Sequence, residues 1–443
     1  MVPQADSPYL TDASGYRGAA ERVFVPESEA EVADILREAS ATLTPVTIAG
    51  AGTGLTGGRV PHTGWVVSLE RLRRMEIHAG YAICGAGALL RDLQAAASPR
   101  QFYAPDPTEN GASVGGSIAT NASGSRSFLY GATRRHIRAL RVVLVDGTTL
   151  ELRRGEKVPF DVPVVPAPAT TKNTAGYYLR PDIDYMDLFI GSEGTLGVVT
   201  EAELSLLPMP RELFTGVLFF ESDEEALAAV DVWRPVTGLR MLEYLDRASL
   251  ELLRPRFPEI PDEARACVLI ESENEAWLDE FTGLESSWFA ASASDRERFR
   301  RFRHALPEAV NYLVRRRGLT KMGSDFAVPV ARNREMLRIY RETLDREFPG
   351  QYVIFGHIGD AHLHVNVLPA NDAEWQRASG LMTEFARKAV SLGGTVSAEH
   401  GLGKRKRHLL EIQFTAAEIE KMKSVKRRLD PNGLLGPGTL FEL

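Results

Sequence analysis

Of the nine histidines in the 443 residues, four fall in two short stretches late in the chain. These are GHIGDAHLHVN, Gly356 to Asn366, and SAEHGLGKRK, Ser397 to Lys406. HLHVNVL has strand character. Its period of two puts His362, His364 and Asn366 on one face and Leu363, Val365 and Val367 on the other. His357 lies in the glycine turn before that strand and can fold back toward the polar face. Imidazoles with a carboxylate from elsewhere, such as Glu399, form a donor set for Zn, Mn or Fe that leaves positions open for a substrate. A lone histidine is more often structural than catalytic; it is the clustering that points to chemistry.

A second kind of residue is concentrated earlier. TIAGAGTGLTGGR, Thr47 to Arg59, satisfies G-x-G-x-x-G with Gly52, Gly54 and Gly57. A dinucleotide fold requires a helix directly after such a turn, and Arg59-Val60-Pro61 breaks the chain there instead. Glycine and hydroxyl segments recur around residues 105 to 124 and 191 to 197. Three such segments suit a large cofactor touched at several points, with amides free to converge on a pyrophosphate. Thr53, Thr56, Thr108, Ser113, Ser117, Asn121 and Ser123 supply hydrogen-bonding groups.

The elements that must carry these residues are legible in outline. PESEAEVADILREAS, from Pro26, predicts a helix with Val32, Ile35, Leu36 and Ala39 on its apolar face. PVTIAG, WVVSLERL and the strand-turn-helix pattern from Gly80 follow. Tyr103 to Gly131 has too few large apolar side chains for an ordinary helix or strand. RALRVVLVDGTTLEL predicts a hairpin turning at Asp146-Gly147. DLFIGSEGTLGVVTEAELSLLP predicts strands on either side of a second glycine turn. Past Pro208 and Pro210 apolar strands alternate with acidic helices, so the fold class is α+β, with residues 1–208 as one domain and 209–443 as another whose antiparallel sheet is covered by helices.

Composition narrows the partners. A net charge of -7 with interleaved signs argues against nucleic acid. No apolar run approaches the roughly 20 residues of a membrane span, and the N-terminus reads as no secretory signal, so a cytoplasmic location is expected. Cys84 and Cys267 are too few for an iron–sulfur site. The basic runs KRKRH, from Lys404, and KMKSVKRR, from Lys421, read as solvated faces of a C-terminal helix, with a docking patch for an acidic partner as the sharper alternative.

VTIAGAGTGLTGG, APDPTENGASVGGSIATNASGSRSFLYG and DLFIGSEGTLGVVTEAEL resemble, in order and spacing, the FAD-binding domain of the vanillyl-alcohol oxidase or para-cresol methylhydroxylase type, a two-subdomain fold. The resemblance assigns Gly50, Ala51, Gly52, Thr53, Gly54, Leu55, Thr56, Gly57 and Gly58 to the pyrophosphate. It assigns Pro105, Asp106, Thr108, Ser113, Gly115, Gly116, Ser117, Asn121, Ser123 and Gly124 to the ring and pyrophosphate, and Glu193, Gly194, Thr195 and Val199 to the adenine side. The first loop carries no histidine, so non-covalent FAD is expected, with His62 a surface residue.

The histidine stretches resemble GHxGDGNxHxN and SxEHGxG of the FAD-linked D-2-hydroxy-acid dehydrogenases, which act on D-lactate, D-2-hydroxyglutarate or glycolate. The tail LDPNGLLGPGTLF extends the likeness over nearly the whole chain. It implies His357, His364 and Glu399 as ligands of a divalent metal, Asn366 as a substrate contact, His400 as the catalytic base and Arg303 as a carboxylate-binding residue, with Lys321 a weaker candidate. Two departures stand out. The family's Gly-Asn pair is Ala361-His362 here, so His362 is either a fourth ligand or, as the favoured reading, a hydrogen-bonding bystander; Gly436 replaces a usual Asn.

The implied reaction is metal-assisted deprotonation of a small 2-hydroxy acid with hydride transfer to flavin N5, giving the 2-oxo acid. The competing readings are a metal-independent FAD oxidase of an alcohol or sugar, and a flavin-binding subunit of a larger oxidase. The electron acceptor is left open among O2, a soluble carrier protein and a partner subunit.

Overall fold

The computed structural model describes residues 7–320 and 322–443; Lys321 lies outside them. The first predicted helix runs Glu29–Thr42, opened by Ser28, whose hydroxyl accepts from the Glu31 amide. Val32, Leu36 and Ala39 pack it on a parallel three-stranded sheet of Arg22–Phe24, Trp65–Ser68 and Val46–Ala49. A five-stranded antiparallel sheet follows, in the order Met75–His78, Tyr81–Gly85, Val198–Ser205, Ile137–Val143, Thr149–Arg153. Its last two strands are the predicted hairpin.

Two local expectations differ from what forms. The stretch poor in large apolar residues contains the helices Val114–Ala119 and Ser127–Tyr130. Small residues are required because the first helix lies against its neighbours too closely for others: a Cβ on Gly115 would meet Ala86 Cβ at 2.7 Å. The DLFI stretch is no strand either. Tyr185–Leu188 is a tight turn of helix closed by a capping box between Asp184 and Asp187.

Beyond Pro208, seven antiparallel strands form one sheet in the order Trp288–Phe289, Phe214–Phe220, Ala266–Ser272, Leu239–Asp246, Tyr352–His357, His362–Val367, Met322–Gly323. Helices cover both faces. Val217, Phe219, Cys267 and Leu269 join a core with Arg247–Leu253 and Ala293–Arg316. Leu218, Phe220, Val268 and Ile270 join another with Asp223–Trp233 and Asn333–Glu347. Burial on both sides is why these strands read as nearly continuous apolar runs.

The chain ends by returning to the first sheet: Val46 donates to Leu434 O and Gly436 donates back to Val46 O. Here the basic runs depart in part from the solvated-face reading: Lys421, Arg427 and Arg428 are exposed. Lys404 and Lys426 are buried. The Lys404 ammonium donates to Gly58 O at 3.1 Å and Arg405 to Ser14 O at 2.6 Å. Lys426, on helix Ala416–Leu429, pairs with the fully buried Asp430 and donates to Thr195 O at 2.6 Å and Leu435 O at 2.8 Å. Cations of the returning tail thus satisfy loop carbonyls of the first half at Ser14, Gly58 and Thr195, and one of the tail's own at Leu435.

Removing one partner of a buried ion pair leaves the other uncompensated. Lys426→Met is expected to lower unfolding stability by about 3–5 kcal/mol in urea denaturation. Arg427→Met, which removes an exposed pair with Glu420, should cost under about 1 kcal/mol.

Candidate active site

The strand Tyr352–His357 and the strand His362–Val367 pair so that His357 faces His362, Phe355 faces His364 and Val353 faces Asn366. The turn between them places Ala361 at φ 51°, a left-handed conformation ordinarily taken by glycine. Gly356 has no such substitute, because an added Cβ would meet His364 Cδ2 at 2.9 Å. Alternation then sends Leu363, Val365 and Val367 into the core and the polar set to the other face.

Glu399 comes to this face from the loop after helix Asp372–Ser391. Its Oε1 lies 3.2 Å from His357 Nε2, 3.3 Å from His364 Nε2 and 3.7 Å from His400 Nε2. Its Oε2 accepts from Ser123 Oγ at 3.0 Å and Lys172 Nζ at 3.2 Å. Burial opposes this charge, yet Lys172 and His357 outweigh it and hold the carboxylate well below its usual range. Lys172 is itself buried, with further bonds to Gly124 O at 2.9 Å and to Asp360 at 3.5 Å.

A second chain of contacts runs behind His357. Its Nδ1 meets Glu243 at 2.5 Å, and Glu243 accepts from Arg303 Nε at 3.1 Å. Against burial, Glu243 raises His357 to about 9, while His357 and Arg303 lower Glu243 to about 2. Direct contacts thus join Asp360 and Glu399 to Lys172, Glu243 to Arg303, and Asp325 to His362 and His400. His357, His362, His364 and Glu399 each bring one donor atom within 4.8 Å of the others. A divalent cation fits that donor set.

Asp325 organises the loop that carries Glu399 and His400. Fully buried, it accepts from Ser397 Oγ at 2.8 Å, the His400 amide at 2.9 Å and the Glu399 amide at 3.3 Å. It also lies 3.5 Å from His400 Nδ1 and 3.1 Å from His362 Nε2. Burial lowers His400 to about 4 despite Asp325, and burial with His364 lowers His362 to about 3, so both rings are neutral near pH 7. His400 stacks on His364 with centroids 5.5 Å apart.

Beside this cluster lies a cavity of about 260 Å³ whose lining includes Glu399 and His400. The glycine and hydroxyl segments line it through residues 50–56, Gly58, Thr108, Ser113, Gly115, Gly116, Ser117, Ser123, Glu193, Gly194 and Val199. Ser113 ties the segments together, accepting from the Ala51 and Gly116 amides. Ser117 Oγ is buried without a partner, an orphan hydroxyl in the cavity wall. Such a lining fits a flavin nucleotide.

Six residues of the same segments stand behind the lining. The Gly57 amide donates to Asp12, Asp106 accepts from Ser125 and Arg126, Asn121 accepts from the Arg134 amide, and Thr195 bonds Tyr177. Gly124 is pressed on Asp106, and Pro105 is buried. His62 is exposed beside Tyr16 at 3.1 Å. Asn366 is buried with both side-chain polar atoms unpartnered.

Lys172, Glu243 and Asp325 escape a reading of the sequence. Glu243 alone carries a signal, an acid within the apolar strand LRMLEYLD.

Models of two domain families match the chain: the FAD binding domain over residues 20–153, and FAD linked oxidases, C-terminal domain, over residues 209–440. A D-lactate dehydrogenase of Archaeoglobus fulgidus is 33% identical, covering 95% of this chain and 91% of the relative. A D-2-hydroxyglutarate dehydrogenase of Xanthomonas citri is 31% identical over 95% and 89%, and the glycolate oxidase subunit GlcD of Bacillus subtilis 30% identical over 96% and 90%. A solved alkyldihydroxyacetonephosphate synthase shares the fold with a TM-score of 0.66 at 17% identity, covering 94% of this chain and 76% of that one.

One residue of the cavity carries a pH dependence of its own. Glu193 accepts from the Leu402 and Gly403 amides at 2.9 and 2.8 Å, and burial pushes its carboxyl from 4.5 up to about 7. Between these values the unfolded chain releases a proton that the fold retains, so this group lowers stability as pH rises, by at most about 3 kcal/mol. In urea denaturation of the flavin-free protein at about pH 5 and about pH 7, Glu193→Gln is expected to remove that part of the loss.

Proposed function

The chain belongs to the FAD-linked oxidases, and we propose that it oxidises a small D-2-hydroxy acid to the 2-oxo acid. One observation carries this reading: the imidazole and carboxylate cluster opens onto the flavin cavity through Glu399 and His400. The three relatives are named for D-lactate, D-2-hydroxyglutarate and glycolate, which share a hydroxyl beside a carboxylate.

FAD, when bound, would supply the hydride acceptor, and His357, His364 and Glu399 would hold a divalent ion that would supply the acidifying of a substrate hydroxyl. We assign the ion to Zn, Mn or Fe, the metals that mixed imidazole and carboxylate donors suit. Without a histidine in the first loop, FAD is held by contacts alone.

His400 Nε2 takes the hydroxyl proton as the hydride leaves Cα, so both electrons leave with the hydride. Asp325, beyond Nδ1 of the same ring, orients it and stabilises the imidazolium that results. Asn366 supplies an unpartnered amide to the substrate. Arg303 gives only Nε to Glu243 among the described residues, which leaves the rest of its guanidinium for a carboxylate. Lys321 lies outside the described residues and takes no part in the assignment.

Anaerobic bleaching of the flavin is the direct test. D-lactate, D-2-hydroxyglutarate or glycolate should reduce it where the L-acids do not, and chelation should slow reduction at least about a hundredfold. Bleaching by none of the acids rejects the reaction; bleaching unaffected by chelation favours the metal-independent reading. His400→Ala should slow reduction by about 100-fold or more while the yellow cofactor stays bound. A rate within tenfold of the parent would remove His400 from the role of base.

A further inference from the structure

His362 stands at the Asn position of the GHxGDGNxHxN motif that this stretch resembles, and its surroundings are unusual for a bystander. The side chain is fully buried, yet among the described residues neither ring nitrogen has an aligned hydrogen-bond partner. Asp325 is 3.1 Å from Nε2, but off the line an N–H bond requires, and it already accepts from Ser397, Glu399 and His400. A buried polar group without a partner costs about 1–3 kcal/mol, a penalty that a packing role would not demand.

The ring is also aimed at the other imidazoles. Its centroid lies 4.4 Å from that of His364 and 5.3 Å from that of His357, at interplanar angles of 65° and 47°, so the three rings converge without stacking. One donor atom from each of His357, His362, His364 and Glu399 falls within 4.8 Å of the others. Donors on opposite sides of one ion at roughly 2.1 Å would be about 4.2 Å apart, inside that bound.

We infer that His362 is a fourth protein ligand, making this a site of three imidazoles and one carboxylate. The inference rests on the reading that the cluster holds a divalent ion. Four protein donors leave two positions of an octahedron, the number that the hydroxyl and carboxylate of a 2-hydroxy acid need. The added imidazole turns selectivity away from oxygen-seeking ions such as Mn and toward Zn, Fe, Ni or Cu.

Pulsed EPR of the flavoprotein loaded with copper(II) alone counts the coordinated imidazoles. Three are expected in the parent and two in His362→Asn, whose flavin absorption should be unchanged, and the variant's zinc dissociation constant should rise at least about tenfold. Two imidazoles in the parent overturn the fourth ligand and leave the metal site standing, a result that does not depend on how the variant folds. A folded variant that still shows three also overturns it. A parent that takes up neither copper(II), zinc nor manganese overturns the fourth ligand and the metal-assisted reading together, while D-acid bleaching would still stand as a separate observation.

Discussion

The nearly buried carboxylate of Glu399 is the constraint around which the rest is arranged. A charge out of water must be matched, and here the match comes from both halves of the chain. Ser123 and Lys172 reach it from the half that forms the flavin cavity, and His357 and His364 from the seven-stranded sheet. The two halves, which also share an apolar core, are thereby joined by polar contacts of defined geometry. Surrounding contacts repeat the pattern: Thr174 bonds Ser397 and Gly401, and Glu193 bonds Leu402 and Gly403. A single loop, Ser397 to Gly403, is held from three sides.

That loop explains how one short motif serves two purposes. Asp325 gathers its amides at the histidine end, while Thr56 O accepts from Lys404 and Arg405 at the flavin end. Gly401 and Gly403 take positive φ values of 72° and 52°, and a Cβ on Gly401 would meet the Glu193 carboxyl at 2.8 Å. The glycines of the motif let the backbone turn between the cavity wall and the cluster, leaving Glu399 and His400 pointing at the place where the two spaces join.

Much of this was legible from residue types. The amphipathic first helix, the hairpin at Asp146-Gly147 and the alternation that separates His364 and Asn366 from Leu363 and Val365 all follow from local periodicity. The small-residue stretch was harder: glycine and serine lower helix propensity, but at Val114–Ala119 close packing against Ala86 overrides it. The basic runs misled for a related reason. Charge in a sequence implies solvent only on average, and Lys404 and Lys426 are spent on buried carbonyls and on Asp430.

What the sequence determined by itself was the inventory of chemistry: glycine and hydroxyl segments for a flavin, clustered imidazoles with a glutamate, and an α+β second half. Spacing along the chain conveys this because short motifs fold locally. Only the tertiary structure decided who stands behind whom. Lys172, Glu243 and Asp325 lie 227, 156 and 74 residues from Glu399 in sequence, too far for any pattern to relate them, yet they govern its charge, the proton on His357 and the orientation of His400. Burial makes those distant charges decisive: in a low dielectric each must find its counterpart, and the fold alone brings them within reach.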